Sequence, residues 1–376
     1  MTMLQVRRWV VLMLMMVFVP TLCAAQSAPA GTGAAKPNPK LAELAAGTAI
    51  DLGPLNLESP EGEGEGSADH VTDYSGMTYD PHNHRLLMFG GGHATTFTDT
   101  IYAFSFETLQ WKALYKPTPQ KFYKPENMDK GFWKSGGEGP YPRPMARHTY
   151  DLLIVPDHRK EFLLLRDGCG PSSVAPGIGY FGSSGGAYDF ATGKWEAFPS
   201  VFGGYGGVSE YDPVSKKILA MLGQKIYLFD TDTRKTEVIM NDVQDRFKVT
   251  GYSGTLVYCP IDQRMYAIPA SMEVWTLEMN RTDFTKSKIA KVTASGTAPP
   301  NSECAFVFDP VRKVISGGVN GNKFFSFNPA TSAWTSEEIK GAQPETMTFH
   351  CLSYDPVDHV YIFIAGGHTY AYRAGK

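Results

Sequence analysis

Apolar residues along this chain come in short alternating runs, and polar turns interrupt them at regular intervals. Ser75-Gly76-Met77-Thr78-Tyr79 leads into a turn at Asp80-Pro81. Arg85-Leu86-Leu87-Met88-Phe89 follows and stops at Gly90-Gly91-Gly92. Ile101-Tyr102-Ala103-Phe104-Ser105-Phe106 comes next, and a further turn separates it from Trp111. Successive side chains of a strand point to opposite faces, so this alternation predicts half-buried strands. The glycine-rich breaks and polar turns between them predict antiparallel hairpins.

The unit recurs. Six turns read Tyr79-Asp80-Pro81, Val155-Pro156-Asp157, Tyr211-Asp212-Pro213, Tyr258-Cys259-Pro260, Phe308-Asp309-Pro310 and Tyr354-Asp355-Pro356. Their prolines are separated by 75, 57, 47, 50 and 46 residues. A repeat of roughly 40–50 residues built of short strands predicts an all-β propeller. Six blades are expected, or seven if the long first interval hides a degenerate one. The last unit ends after its third strand, Thr369-Tyr370-Ala371-Tyr372. Residues around Ala49-Ile50-Asp51-Leu52 are therefore expected to supply the missing outer strand and close the ring, leaving no long open edge.

A glycine cluster after the second strand recurs as Gly90-Gly91-Gly92, Gly317-Gly318 and Gly366-Gly367. An aromatic on the third strand and a tryptophan on the fourth recur as Tyr102 with Trp111, Tyr188 with Trp195 and Phe325 with Trp334. On these residues the chain resembles the kelch and galactose-oxidase central-domain propellers over about residues 70–376. The resemblance implies the fold and no particular activity, since propellers host many.

Composition adds an address. Arg7 and Arg8 precede an apolar stretch from Trp9 to Leu22, and Cys23-Ala24-Ala25 offers small residues for cleavage. This is the pattern of a secretory signal peptide over residues 1–25, too short to span a bilayer, which needs about 20 apolar residues. Cleavage after Ala25 is preferred to lipidation of Cys23, because Leu22 is bulky where a small residue is expected. Residues 26–45 read as a disordered Ala/Pro/Gly tether and 46–376 as one propeller domain. A secreted or periplasmic monomer without a membrane span is expected. The net charge of −3 argues against a nucleic-acid partner. Of the cysteines remaining after cleavage, Cys169, Cys259, Cys304 and Cys351, only Cys304 and Cys351 occupy matching places in consecutive units. They are the one disulfide pair to consider, against the preferred reading of buried thiols.

The register also assigns loops to faces. Loops leading into the innermost strands share a face with those joining second and third strands, and the proline turns occupy the other. His93, His148, His350 and His368 fall on the first face, in units six, one and two, whereas His82, His84, His158 and His359 lie by the turns. Eight residues before each proline stand Asp73, His148, Tyr205, Tyr252, Ser302 and Thr348, expected around the channel mouth. Arg147 and Arg166 join this sector, Arg166 at the place of the apolar Phe89 of the first unit. A cation there needs a carboxylate or a ligand.

Over the sector runs an insertion, residues 116–146, carrying Phe122, Tyr123, Phe132, Trp133 and Tyr141 among Lys116, Lys121, Lys124, Lys130, Lys134 and Arg143. Aromatics interleaved with cations suit an acidic polysaccharide or other glycan, and long insertions are commonly lids or binding loops. A lyase acting on uronic acids would use His148 or His93 as base, Tyr205 or Tyr252 as proton donor and Arg147 or Arg166 to hold the carboxylate. Tyr252, His350, His368, Trp133, Tyr123, Lys134 and Asp73 would bind the sugar chain. That chemistry calls for no cofactor. The alternatives are a non-catalytic protein- or glycan-binding propeller, and a copper oxidase with ligands from the same histidines. The Tyr-His dipeptide typical of the oxidases is replaced by Arg147-His148 and Phe349-His350. A bound Zn, Cu or Ca ion held by His93, His148, His350 and His368 stays open, because ligands need no sequence proximity.

Overall fold

A computed structural model describes residues 35–59, 71–91, 98–134, 142–166, 184–204, 206–241, 243, 254–300, 305–345 and 347–375. The chain forms six blades of antiparallel strands, which in blades one to five follow one another outward in sequence order. Their innermost strands are Met77–Asp80, Leu153–Ile154, Val208–Asp212, Gly254–Cys259, Phe306–Asp309 and Met347–Asp355. The expected closure is present. Strand Thr48–Pro54 pairs antiparallel with His368–Arg373, Ala49 opposite Tyr372 and Ile50 opposite Ala371, so the two ends of the chain share blade six. Among the described residues no helix is long and apolar enough to cross a membrane.

Alternation along the strands buries both faces of each blade, and the result is six apolar clusters, one per seam. The seam that closes the ring is as apolar as the others: Leu86, Met88 and Phe104 of blade one pack with Ile362, Ile364 and Ala371 of blade six. The repeated tryptophans pack across the two outer strands, although two sit one alternation from the aromatic first paired with them. Phe104–Trp111, Tyr188–Trp195 and Phe327–Trp334 are the facing pairs, with ring centroids 5.4, 5.4 and 5.3 Å apart. Tyr102 and Phe325 share a strand face with the true partners, because residues two apart point the same way.

The proline turns tie blade to blade. The buried turn aspartates accept from the backbone two or three residues on; Asp80 turns its other oxygen to Arg85 of its own blade, whereas Asp212, Asp309 and Asp355 reach a neighbouring blade. His84 meets Asp355 at 2.9 Å, Arg281 meets Asp212 at 2.8 Å and the Tyr361 hydroxyl donates to Asp309 at 2.6 Å. His82 bonds the Pro156 carbonyl at 3.0 Å, and Tyr211 donates to Asp157 at 2.8 Å. The histidines set aside on this face are thus structural in their contacts.

One expectation needs correction. The tether does not run to residue 45: Asn38 caps a short helix, Pro39–Ala42, and docks on the turn face. There its backbone donates to Asp358 at 3.0 Å and its side chain to the Phe106 carbonyl at 2.7 Å. The preferred reading of buried thiols holds at Cys351. Cys351 is a free buried thiol whose Sγ lies 3.3 Å from the Ser75 carbonyl, while Cys304 lies outside the described residues.

Candidate functional site at the channel mouth

Three adjacent blades enter their innermost strands through a residue in the left-handed region. These residues are Tyr74 (φ 56), Tyr150 (φ 49) and His350 (φ 62), in blades one, two and six. Blades three and four use Gly207 and Gly254 at the corresponding place. Left-handed backbone costs a residue bearing a Cβ roughly 1–2 kcal/mol, so this sector holds strain that glycine relieves elsewhere. Such strain clusters where side chains must be aimed. Gly76 makes the convergence feasible: a Cβ there would stand 2.6 Å from the Tyr150 carbonyl and 2.9 Å from the His350 Cβ.

The rings gather as a consequence. The imidazole of His148 lies 4.9 Å from the Tyr74 ring and 5.9 Å from that of Tyr150. Arg166 stacks its guanidinium over Tyr150 at 5.1 Å. Arg166 is wholly buried. Its Nη2 donates to the Gly204 carbonyl, yet Nε and Nη1 find no acceptor among the described residues. A buried guanidinium with two idle donors is costly, and a carboxylate or another bidentate acceptor would satisfy it.

Below the mouth, the channel encloses about 340 Å³ and is lined by Asp151, Ser209, Glu210, Thr255, His350 and Ser353 among apolar residues, with no lysine or arginine. Burial pushes the Glu210 carboxyl up to about 7 against the pull of the Tyr211 and Tyr258 backbone N–H groups. Burial, then the nearby Glu210 charge, holds Asp151 well above the ordinary carboxylate range. Burial likewise raises the Cys351 thiol, with Asp73 and Asp151 adding to it. Cys351 is therefore no nucleophile at neutral pH.

The other expected residues divide. His148 and Arg166 both contact Tyr150, His350 lines the channel, and the Asp73 charge acts on Cys351; His93, Tyr205 and Tyr252 lie outside the described residues. Arg147 cannot hold a substrate carboxylate as placed. It is fully buried and donates to the carbonyls of Met145, Gly131, Arg166 and Ser184, anchoring the insertion to blade two. Trp133 and Tyr123 are not exposed sugar platforms: they are buried in a small core that the insertion builds with Met128 and Met145. Asp99 is the hub of that loop, accepting from Trp133 Nε1 at 2.7 Å, Arg143 Nε at 2.9 Å and the Thr118 backbone at 2.7 Å. Lys134 is exposed and bonds the Glu126 carbonyl at 2.9 Å. His368 points to the outermost strand, 2.9 Å from Asp51, away from the ring cluster.

Among the described residues the mouth histidines form no group of three donors, and His93 of the expected set lies outside those residues. Among the described residues, the group of three or more donors within 4.8 Å of one another is His84, Asp355 and Asp358, on the turn face. Its donors are already engaged by one another and by Asn38.

No family model matches the sequence. No curated protein matches it either. The solved structures it resembles include an auxiliary nutrient binding protein from Bacteroides ovatus, 12% identical, covering 89% of this chain and 74% of that one at a TM-score of 0.50. A similarly named protein from Bacteroides thetaiotaomicron is 10% identical, with coverage of 79% and 68% and a TM-score of 0.49. A putative gluconolactonase is 11% identical, with coverage of 90% and 98% and a TM-score of 0.49. At this identity the likeness to the Bacteroides ovatus structure speaks for the fold and not for chemistry. None of the three is named a kelch or galactose-oxidase protein.

Three elements escaped the sequence reading: Tyr74 and Tyr150, the Asp99 hub, and the Asp151–Glu210 pair. The last left a trace, since each acid interrupts an apolar run feeding an innermost strand, as in Tyr150-Asp151-Leu152-Leu153.

Proposed function

We propose that this chain is an exported propeller whose channel mouth binds an acidic glycan, with Arg166 pairing a uronate carboxylate. The observation that carries the reading is the buried Arg166 guanidinium, whose Nε and Nη1 find no acceptor among the described residues. It lies against Tyr150, itself in ring contact with His148. The pattern of residues 1–25 supports export. The Bacteroides ovatus propeller is named for nutrient binding, a role of the same kind.

The same residues support cleavage by β-elimination. Arg166 neutralises the carboxylate, which acidifies the proton on the adjacent ring carbon. His148 removes that proton, the electron pair forms a carbon–carbon double bond, and the glycosidic oxygen departs with a proton from a tyrosine hydroxyl. Tyr74, half-buried and 4.9 Å from His148, is the described tyrosine best placed to give it. A positioned acid or base of this sort contributes about 10²–10⁴-fold in rate.

The test is incubation with polygalacturonate, alginate and glucuronan, following the ultraviolet absorbance of new unsaturated ends alongside binding by calorimetry. Saturable binding lost in Arg166→Gln is expected. Absorbance lost in His148→Ala, with binding retained, supports the lyase. Binding without absorbance on every polymer makes the protein a binding module, and no binding at all refutes the glycan reading.

A further inference from the structure

The channel below the mouth carries acid groups that neither glycan binding nor elimination uses. Asp151 enters it from blade two and Glu210 from blade three, where the two innermost strands are stitched together. Asp151 bridges Val208, and the Ser209 hydroxyl donates to the Asp151 carbonyl at 2.7 Å. Asp151 and Glu210 both line the cavity of about 340 Å³, within the roughly 300–1,000 Å³ common for small-molecule sites. At its turn-face end stand Phe308, Tyr354 and the exposed Pro310 and Pro356.

The polar groups of this wall lack partners of one kind. No lysine or arginine lines it, and His350 is the one basic side chain among the lining residues. Glu210 accepts from the Tyr211 backbone N–H at 2.8 Å. The Asp151 carboxylate has no hydrogen-bond donor and no ion-pair partner among the described residues; burial and the Glu210 charge act on it. Thr255 lines the same cavity at 5% exposure, and its hydroxyl has no hydrogen-bond partner among the described residues. Acceptors without donors in an enclosed, largely apolar space select a cation that carries N–H groups and an apolar body. A metal ion fits less well, because Asp151 and Glu210 belong to no group of three ligands among the described residues. An ammonium needs only hydrogen-bond acceptors and brings three donors to them.

We propose that the channel binds a primary alkylamine as its ammonium ion, the charged end at Asp151 and Glu210 and the apolar chain toward Phe308 and Tyr354. The site uses neither Arg166 nor His148 and does not depend on the glycan reading.

Binding should release a proton. Glu210, raised by burial to about 7, is partly protonated at neutral pH, and an ammonium beside it favours the carboxylate. The titratable groups that line the cavity with it are Asp151, His350, Tyr79 and Tyr354, and the Asp212 charge on its own strand also raises it. Burial lifts both tyrosines well above their ordinary values, so they stay neutral. An alkylammonium, like lysine, keeps its charge throughout this range, so affinity is expected to rise about tenfold from pH 6 to 8.

The experiment is calorimetry on the full chain with hexylamine, and with 1-hexanol, hexanoate and calcium chloride as controls, at pH 6 and 8 and in two buffers of different ionisation enthalpy. Hexylamine is expected to bind saturably, at least tenfold more tightly than hexanol or hexanoate, and with a heat that depends on the buffer. Glu210→Gln and Asp151→Asn keep the shape and remove the charge. Each is expected to weaken hexylamine at pH 8 at least tenfold, and Glu210→Gln to flatten the pH dependence, with thermal unfolding recorded to show that the ring is intact. Absence of saturable amine binding, hexanol binding as tightly as the amine, undiminished binding in Glu210→Gln, or displacement of the amine by calcium would each overturn the proposal.

Discussion

Glu210 makes the stability of the ring depend on pH in a direction opposite to that of most surface carboxylates. Its folded value is raised from 4.5 to about 7 by burial in the channel, so the folded state keeps a proton that the unfolded chain gives up. Below about pH 4.5 both states are protonated and the group is silent. Between about 4.5 and 7 the unfolded chain ionises first, and stability falls as pH rises. Above 7 the loss is complete. A difference of about 2.5 units corresponds to about 3 kcal/mol. Glu210→Gln removes this term, since an amide carries no charge at any pH. Its oxygen can still accept from the Tyr211 backbone, as Oε1 does at 2.8 Å, and any mismatch at Tyr258 is independent of pH. The assay is urea unfolding of wild type and variant from pH 4.5 to 8. The expected result is a gap that grows by about 3 kcal/mol in favour of the variant. Parallel curves would show that Glu210 is not desolvated and would refute the argument. A shallower fall should persist in the variant, because Asp151 is raised by the same enclosure.

Asp99→Ala should unfasten the insertion without unfolding the ring. Trp133, Arg143 and Thr118 lose a shared buried acceptor, a change of about 3–5 kcal/mol for a broken buried charge network. Red-shifted tryptophan emission and proteolysis confined to residues 116–146, with the main unfolding transition kept, would report it; unaltered protease resistance would contradict the hub assignment. Gly76→Ala must displace the Tyr150 carbonyl or the His350 backbone, at about 1–3 kcal/mol. It should therefore weaken uronate binding more than a surface Gly→Ala does, as calorimetry beside denaturant unfolding would show.

The proline turns made the architecture legible because they repeat, and repetition is visible without coordinates. Their register placed His148, Asp73, Arg166 and His350 on one face; in the fold His148 and Arg166 both meet Tyr150, and His350 lines the channel. The misplacements have a common cause: a register gives the level of a residue and not the direction of its side chain. Arg147 stands at the expected level but turns into the protein, where four carbonyls receive it. His368 turns outward to Asp51. In the insertion the aromatics were legible as residues, but whether a loop of that length buries them for itself depends on a partner far along the chain. That partner is Asp99, 34 positions from Trp133. The N-terminal segment was misread for the same reason, since Asn38 looks like linker until Asp358 is beside it.

The two faces use their ionisable groups differently, and this separates scaffold from site. On the turn face, His84, Arg281, Tyr211 and Tyr361 each spend their polar atoms on a neighbouring blade. Those bonds fix the blades relative to one another, which lets the opposite face hold three left-handed entrances side by side. A looser ring would relieve Tyr74, Tyr150 and His350 by letting their blades shift, and the rings around His148 would part. Burial costs Arg166 its hydration, and among the described residues Gly204 and the Tyr150 ring offset part of that cost. On the proposed reading, a planar carboxylate at Arg166 would recover that cost, and a rigid ring would favour it by holding the guanidinium ready.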